Sequence, residues 1–267
     1  MSTKKQERAR ARRRYDKRQA ALGRRMDLDQ RTARLIAIVG TVVVVLAVLA
    51  LLGSKYAATP TPAAQTSPSL TAAGCQQPPK PLGTTAKLTL PSKATAEGKT
   101  FTGDIDTNCG TITVELYGTK APQAVASFIQ LATSGYWVDS PCHRLTADPT
   151  LKVLQCGDPT GTGSGTPGYG FGVENAPKDG VYPTGTLAMA RTSDAAKGNG
   201  GQFFIVYGNS TLPDKNGYTI FGKVTAGLDI VDKVAAVGVA AGGDSPTDGA
   251  PAAPISILRV AVTEKKA

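Results

Sequence analysis

The chain of 267 residues contains one histidine, one tryptophan and four cysteines, and aromatic residues make up only 6% of it. A single imidazole cannot build a multi-histidine metal centre. Cys75, Cys109, Cys142 and Cys156 show no C-x-x-C spacing, which argues against a structural zinc site. No Walker lysine follows a glycine-rich loop, so a P-loop nucleotide hydrolase is excluded. The segment "GDPTGTGSGTPGYGFG", 157–172, does carry G-x-G-x-x-G at Gly163, Gly165 and Gly168. Pro167 interrupts it, no helical pattern follows, and no acidic residue stands at the ribose position. It reads as an irregular surface loop whose glycines serve left-handed turns.

The greater part of the chain also lacks an excess of positive charge. The net charge is +10, but residues 1–34 hold 13 Lys/Arg against 4 Asp/Glu, leaving 17 against 16 elsewhere. The charge belongs to a tail, read as a topogenic cytoplasmic arm, and no nucleic-acid partner is expected. One long apolar run follows, "LIAIVGTVVVVLAVLALLG" at 35–53. As a helix it rises about 28 Å, roughly one hydrocarbon core. Basic residues precede it and only Lys55 follows closely, which predicts a single-pass signal anchor with the C-terminal part exported. For the alternative, a cleaved signal peptide, "SKYAATP" offers a poor site. Residues 54–83 are rich in Pro, Ala and Thr without apolar periodicity and predict an extended linker. The "AAGC" ending at Cys75 lies too far beyond the apolar run for lipoprotein processing. Residues 84–267 have the composition of one globular domain, in a compartment that permits disulfides.

Within that domain the pattern is mainly strands. "GTITVELY" (110–117) alternates Ile112, Val114 and Leu116 with polar residues. "CHRLT" and "KVLQC" flank the turn "ADPT", and further strands fall at 185–190, 201–208, 218–224 and 255–264. Two amphipathic helices are predicted. One lies over 120–135, with Pro122 near its start, Gly135 at its stop, and Val125, Phe128, Ile129 and Ala132 on one face; the other spans 227–238. Many strands with tight glycine turns and few helices argue for a β-barrel or sandwich.

Three segments in order, "CHRLTADPTLKVLQCGDPTGTGSGTPGYGF", "GTLAMARTSDAAKGNGGQFFIVYG" and "YTIFGKVTAGLDIVDKV", resemble the cyclophilin pattern over about residues 100–264. With the cysteines and the apolar run, the chain is similar to bacterial, membrane-anchored peptidyl-prolyl cis-trans isomerases. The resemblance implies a closed orthogonal β-barrel capped by two α-helices, no cofactor or metal, and proline-containing unfolded or flexible polypeptides as partners. It implies Arg144 as the catalytic group and Gln155 as the residue that holds it. Val153, Phe204 and Leu212 then form the proline pocket, and Ala190, Arg191, Gln202 and Tyr218 its rim.

The sequence departs from the family at several points. Val153 replaces a usual methionine, Arg191 an asparagine and Tyr218 a histidine. The pocket tryptophan is missing, with Thr211 or Leu212 in its place. Lys152 stands where a phenylalanine is usual, and Leu151 takes that role if the register shifts by one. Cyclosporin binding is therefore expected to be weakened, and a proline-peptide binding module with little turnover is the competing reading.

Strand parity bears on the one histidine. If Arg144 faces Gln155 across a hairpin, His143 pairs with Cys156 on the opposite, inward face, and adjacent Cys142 and His143 cannot form a dyad. The same parity puts Cys142 and Cys156 on opposite faces and disfavours a disulfide between them. A bond from Cys109 to one of these two stays open.

Overall fold

The computed structural model describes residues 68–242 and 245–266. The basic arm, the apolar run 35–53 and the linker as far as residue 67 lie outside the described residues. Among those described, no helix is long and apolar enough to cross a membrane.

The chain enters through a short helix, α1 (Pro68–Ala73), and a 3-10 turn at Lys93–Thr95. Then come β1 (Thr100–Thr107), β2 (Gly110–Tyr117), α2 (Pro122–Thr133), β3 (Ser140–Pro141), β4 (Arg144–Asp148), β5 (Leu151–Cys156), β6 (Val181–Tyr182), β7 (Thr186–Arg191), β8 (Asn199–Gly208) and β9 (Ser210–Thr211). β10 (Ile220–Ala226), α3 (Leu228–Val237), β11 (Asp248–Gly249) and β12 (Ser256–Glu264) complete it. Ten strands form one curled antiparallel sheet in the order β11-β4-β5-β8-β7-β10-β2-β1-β12-β3, and β6 pairs with β9.

Alternation along the strands separates two faces. Leu145, Leu154, Leu187, Met189, Phe203 and Ile205 turn into the main core, which α2 covers with Val125, Phe128 and Leu131. Each fully buried side chain of this kind contributes about 1.5–3 kcal/mol. The single tryptophan, Trp137, belongs here. Its ring centroid lies 4.7 Å from that of Phe128, and its Nε1 donates to Gly201 O at 3.0 Å. On the opposite face Val153, Ala188, Phe204 and Val206 form a second, smaller cluster with Tyr182.

β1, "TFTGDIDT", was not among the expected strands, because two aspartates and a glycine obscure its alternation. Gly103 takes an inward position, where a Cβ would lie 3.1 Å from Val114 Cγ2. The extended-linker reading of 54–83 is corrected from Pro68 onward. Leu70, Ala73 and Cys75 are buried in the main core, and Cys75 is bonded to Cys109.

The disulfide expectation is also overturned, since Cys142 and Cys156 are bonded. Alternation holds only while the pleat continues, and β4 begins at Arg144. Cys142 and His143 precede it outside any strand, with the Cys142 N–H donating to Ile255 O at 2.9 Å. The chain is thus free to aim Cys142 inward at Cys156. His143 lies beside the glycine-rich loop, its ring 3.5 Å from where a Cβ on Gly163 would stand.

Candidate active site

The β4–β5 hairpin sets Arg144 directly opposite Gln155, as parity requires. Arg144 Nη1 donates to Gln155 Oε1 at 3.2 Å, and Gln155 Nε2 donates to Gln202 Oε1 at 2.9 Å. Gln202 Nε2 in turn donates to Gly163 O (2.9 Å) and Gly165 O (3.3 Å). Each amide accepts on one side and donates on the other, so the relay has a single direction from the guanidinium to the glycine-rich loop.

Asp248 was not foreseen. Arg144 Nε and Nη2 donate to its two carboxylate oxygens, both at 2.7 Å, in a bidentate pair. Nothing in "DSPTDGAPA" marks Asp248, because an aspartate among Gly, Pro and Ala reads as a turn residue. Pairing of β11 with β4 brings it in from 104 residues away. Three of the guanidinium's five N–H groups are thereby engaged, which leaves two for a ligand. The Arg144 side chain is 38% exposed, so those two are reachable. The pairing raises the arginine's pKa further. It holds the Asp248 carboxyl below its ordinary 3.8, first through the hydrogen bonds from Arg144 and then through its charge, against the opposing effect of burial.

Beside Arg144 the outer face opens into a cavity of about 170 Å³ lined by Leu151, Val153, Gln155, Ala190, Arg191, Phe204, Leu212 and Tyr218. Phe204 is 5% exposed and stacks edge-on against Tyr182 and Tyr218. Leu151 lines this cavity and Lys152 does not. Leu151, Val153 and Gln155 share one face of β5, while Lys152 packs along Gly208 beside a β-bulge. The open alternative at this position therefore resolves to leucine.

Arg191 borders the cavity, but its guanidinium forms part of the wall. Nε donates to Gly217 O and Nη1 to Thr192 O, both at 2.8 Å, and the group pairs with Asp214 and lies 4.8 Å over the Tyr218 ring. Its side chain is 2% exposed. A larger cavity of about 470 Å³ adjoins, lined among others by Gln155, Arg191, Gln202 and residues 163–166. The expected site residues thus all come together, Gln202 at the second cavity and the rest around the first.

His143 lies outside this relay. Burial, the largest cause, lowers its pKa, with Arg144 adding to the effect and Asp158 opposing it.

The family described as "Cyclophilin type peptidyl-prolyl cis-trans isomerase/CLD" matches residues 102–262. The chain belongs to the cyclophilin family. It is 42% identical over 202 residues to a protein named "Probable peptidyl-prolyl cis-trans isomerase B" from Mycobacterium tuberculosis, covering 70% of this chain. It is 41% identical over 201 residues to the Mycobacterium leprae protein of the same name, covering 68% of this chain. The chain spans 63% and 64% of the length of these two relatives. A cyclophilin-type isomerase of Cryptosporidium parvum, crystallised in the presence of the dipeptide Ala-Pro, is 32% identical, with a TM-score of 0.49, over 61% of this chain and 99% of its own.

The Asp248 clamp gives a first prediction for this cyclophilin. Asp248→Asn keeps one acceptor and loses the charge, and both partners are more than a third exposed, so solvent reduces the loss. On the isomerase reading proposed below, a decrease of about fivefold in kcat/KM for an X–Pro peptide is expected. The depressed carboxyl value means that the clamp is intact above the ordinary carboxylate range and is lost as pH falls through the folded value. Wild-type activity should not depend on this group from about pH 5 to 8, and should approach that of the variant only in stronger acid. A pH–rate profile of both proteins checks this; equal rates at neutral pH would refute the clamp.

Proposed function

We propose that the chain is an active peptidyl-prolyl cis-trans isomerase acting on proline-containing, unfolded or flexible polypeptides. The observation that carries this reading is a partly exposed guanidinium, fixed by Asp248 and Gln155, at the edge of an apolar cavity walled by Val153, Phe204 and Leu212.

Rotation about an X–Pro bond must overcome amide resonance, a barrier of about 18–20 kcal/mol. No covalent bond breaks, so the reaction calls for neither a nucleophile nor a metal. A donor to the prolyl nitrogen as it becomes pyramidal weakens the resonance, and Arg144 remains charged at any working pH. One charge-assisted hydrogen bond of about 1.5–3 kcal/mol supplies roughly tenfold to a hundredfold. The cavity adds to this by holding the ring away from water while the carbonyl turns. Ala190, Arg191, Gln202 and Tyr218 border the chain on either side. Leu212 in place of a tryptophan and the engaged Arg191 support weakened cyclosporin binding.

The curled sheet is a closed barrel, supported by the Cys142 N to Ile255 O bond between the start of β4 and the approach to β12. The domain is extracytoplasmic, supported by two disulfides and by the absence of free cysteines among the described residues. It is held at a bacterial cell membrane by the apolar run 35–53, with the basic arm on the cytoplasmic side.

Exchange NMR on an Ala-Pro peptide tests the activity, with faster cis–trans exchange expected on adding the wild-type chain. No enhancement would leave the binding-module reading in its place. Deleting 35–53 should move the expressed protein out of the membrane fraction, and an unchanged distribution would refute the anchor.

A further inference from the structure

Residues 76–91 form no strand of the sheet and precede the segment that matches the family. They are nevertheless fixed at both ends. At the first, Cys75 is bonded to Cys109, the Gln76 N–H donates to Asn108 O (2.8 Å), and Asn108 Nδ2 donates back to Gln76 O (2.7 Å). At the other, Gln123 Nε2 on α2 donates to Pro91 O at 2.9 Å.

Between these anchors the segment crosses the outside of the glycine-rich loop 157–172. Gly83 N–H donates to Pro159 O (3.3 Å) and Leu88 N–H to Pro167 O (2.7 Å). The Thr85 methyl lies 3.1 Å from where a Cβ on Gly165 would stand. From inside, Asp158 holds the same loop by accepting from the Gly165 N–H at 3.0 Å. Gly163 and Gly165 face the larger cavity and accept the hydrogen bonds of Gln202, the end of the relay from Arg144.

We propose that residues 76–91 are a strap that orders the loop wall of the larger cavity beside the isomerase site. It holds the loop ordered against the larger cavity and so sets the affinity for peptides that reach beyond the X–Pro pair. This rests on the isomerase reading above. A loop with glycine at seven of its sixteen positions loses much backbone freedom on ordering. Bracing it in advance removes that cost from substrate binding.

The test uses the full chain with a blocked Ala-Pro dipeptide and with a longer peptide centred on the same pair. Leu88→Pro removes the N–H donor, whereas Leu88→Ala keeps it and loses only packing. Gly83→Ala strains the left-handed backbone at φ 72°, where a Cβ meets no neighbour. Leu88→Pro and Gly83→Ala should raise KM for the longer peptide roughly threefold to tenfold, with kcat and the rate on the dipeptide unchanged. Equal losses on both substrates, or none on either, would overturn the strap. Lack of turnover in the wild type would instead defeat the isomerase reading. In that case hydrogen exchange at the Gly165 amide decides the strap: faster exchange in Leu88→Pro than in Leu88→Ala supports it, and equal rates refute it.

Discussion

Arg144→Ala is expected to lower kcat/KM for X–Pro exchange by roughly a hundredfold, about 2.7 kcal/mol of transition-state stabilisation. The loss should fall mainly on kcat, because the donor acts as the prolyl nitrogen leaves the amide plane, while the apolar cavity still binds the ring. Arg144→Lys should recover little of it. A lysine presents one ammonium and cannot engage both oxygens of Asp248 and the amide of Gln155 together. Stability should change little, since the Arg144 side chain is 38% exposed. Exchange NMR over a peptide titration separates kcat from KM, and denaturant unfolding checks the fold. Wild-type rates in Arg144→Ala would remove the guanidinium from the mechanism and leave the cavity alone to account for turnover.

Replacing both Cys142 and Cys156 by alanine should destabilise the domain by about 3 kcal/mol, the chain-entropy value for a loop of about 15 residues. The bond spans 14 residues of sequence and encloses the β4–β5 hairpin that carries both Arg144 and Gln155. Cys156 follows Gln155 directly, so the variant should also lose activity, severalfold at a temperature where it is still folded. Replacing Cys75 and Cys109, whose bond spans 34 residues, should cost a similar amount, about 4 kcal/mol by the same relation. It leaves the hairpin untouched, so turnover of a short peptide should be spared. Urea unfolding with activity measured on the folded protein distinguishes the two pairs. A stability change below about 1 kcal/mol for the first pair would show that the hairpin is held by its strand pairing alone.

Much of the site was legible because its parts are local. Arg144 and Gln155 stand eleven residues apart across one tight hairpin, and alternation within that hairpin suffices to place them side by side. The same alternation sorts Phe203 to the core and Phe204 to the cavity once the outer face is known to carry a second apolar cluster. A sequence pattern records that both are apolar but not which apolar face each meets. Leu151 illustrates the same point from the other side. Parity with Val153 and Gln155 selects it over Lys152, although the family pattern pointed to the lysine's position.

Where the reading failed, an interaction spanned a break in regular structure or a long stretch of chain. Period-two reasoning applied to Cys142 and His143 assumed a strand that does not begin until Arg144, and the disulfide followed the bend instead. Pro68–Ala73 lacks a long apolar period, so its burial depends on the covalent link of Cys75 to Cys109 and on packing against the core.

Local repetition in the chain was enough to specify strands by alternation, helices by their apolar faces, and the pairing of Arg144 with Gln155 by parity within one hairpin. The chain's three ordered blocks also determined the family. Three-dimensional packing was needed to reveal the groups that meet outside regular strand pairing. These are Asp248 on the guanidinium, the two disulfides, Arg191 turned into the wall, and the strap over the glycine-rich loop. Hydrogen bonds and disulfides depend on where atoms meet in space, and a one-dimensional pattern carries no record of meetings whose separations run from 14 to 104 residues.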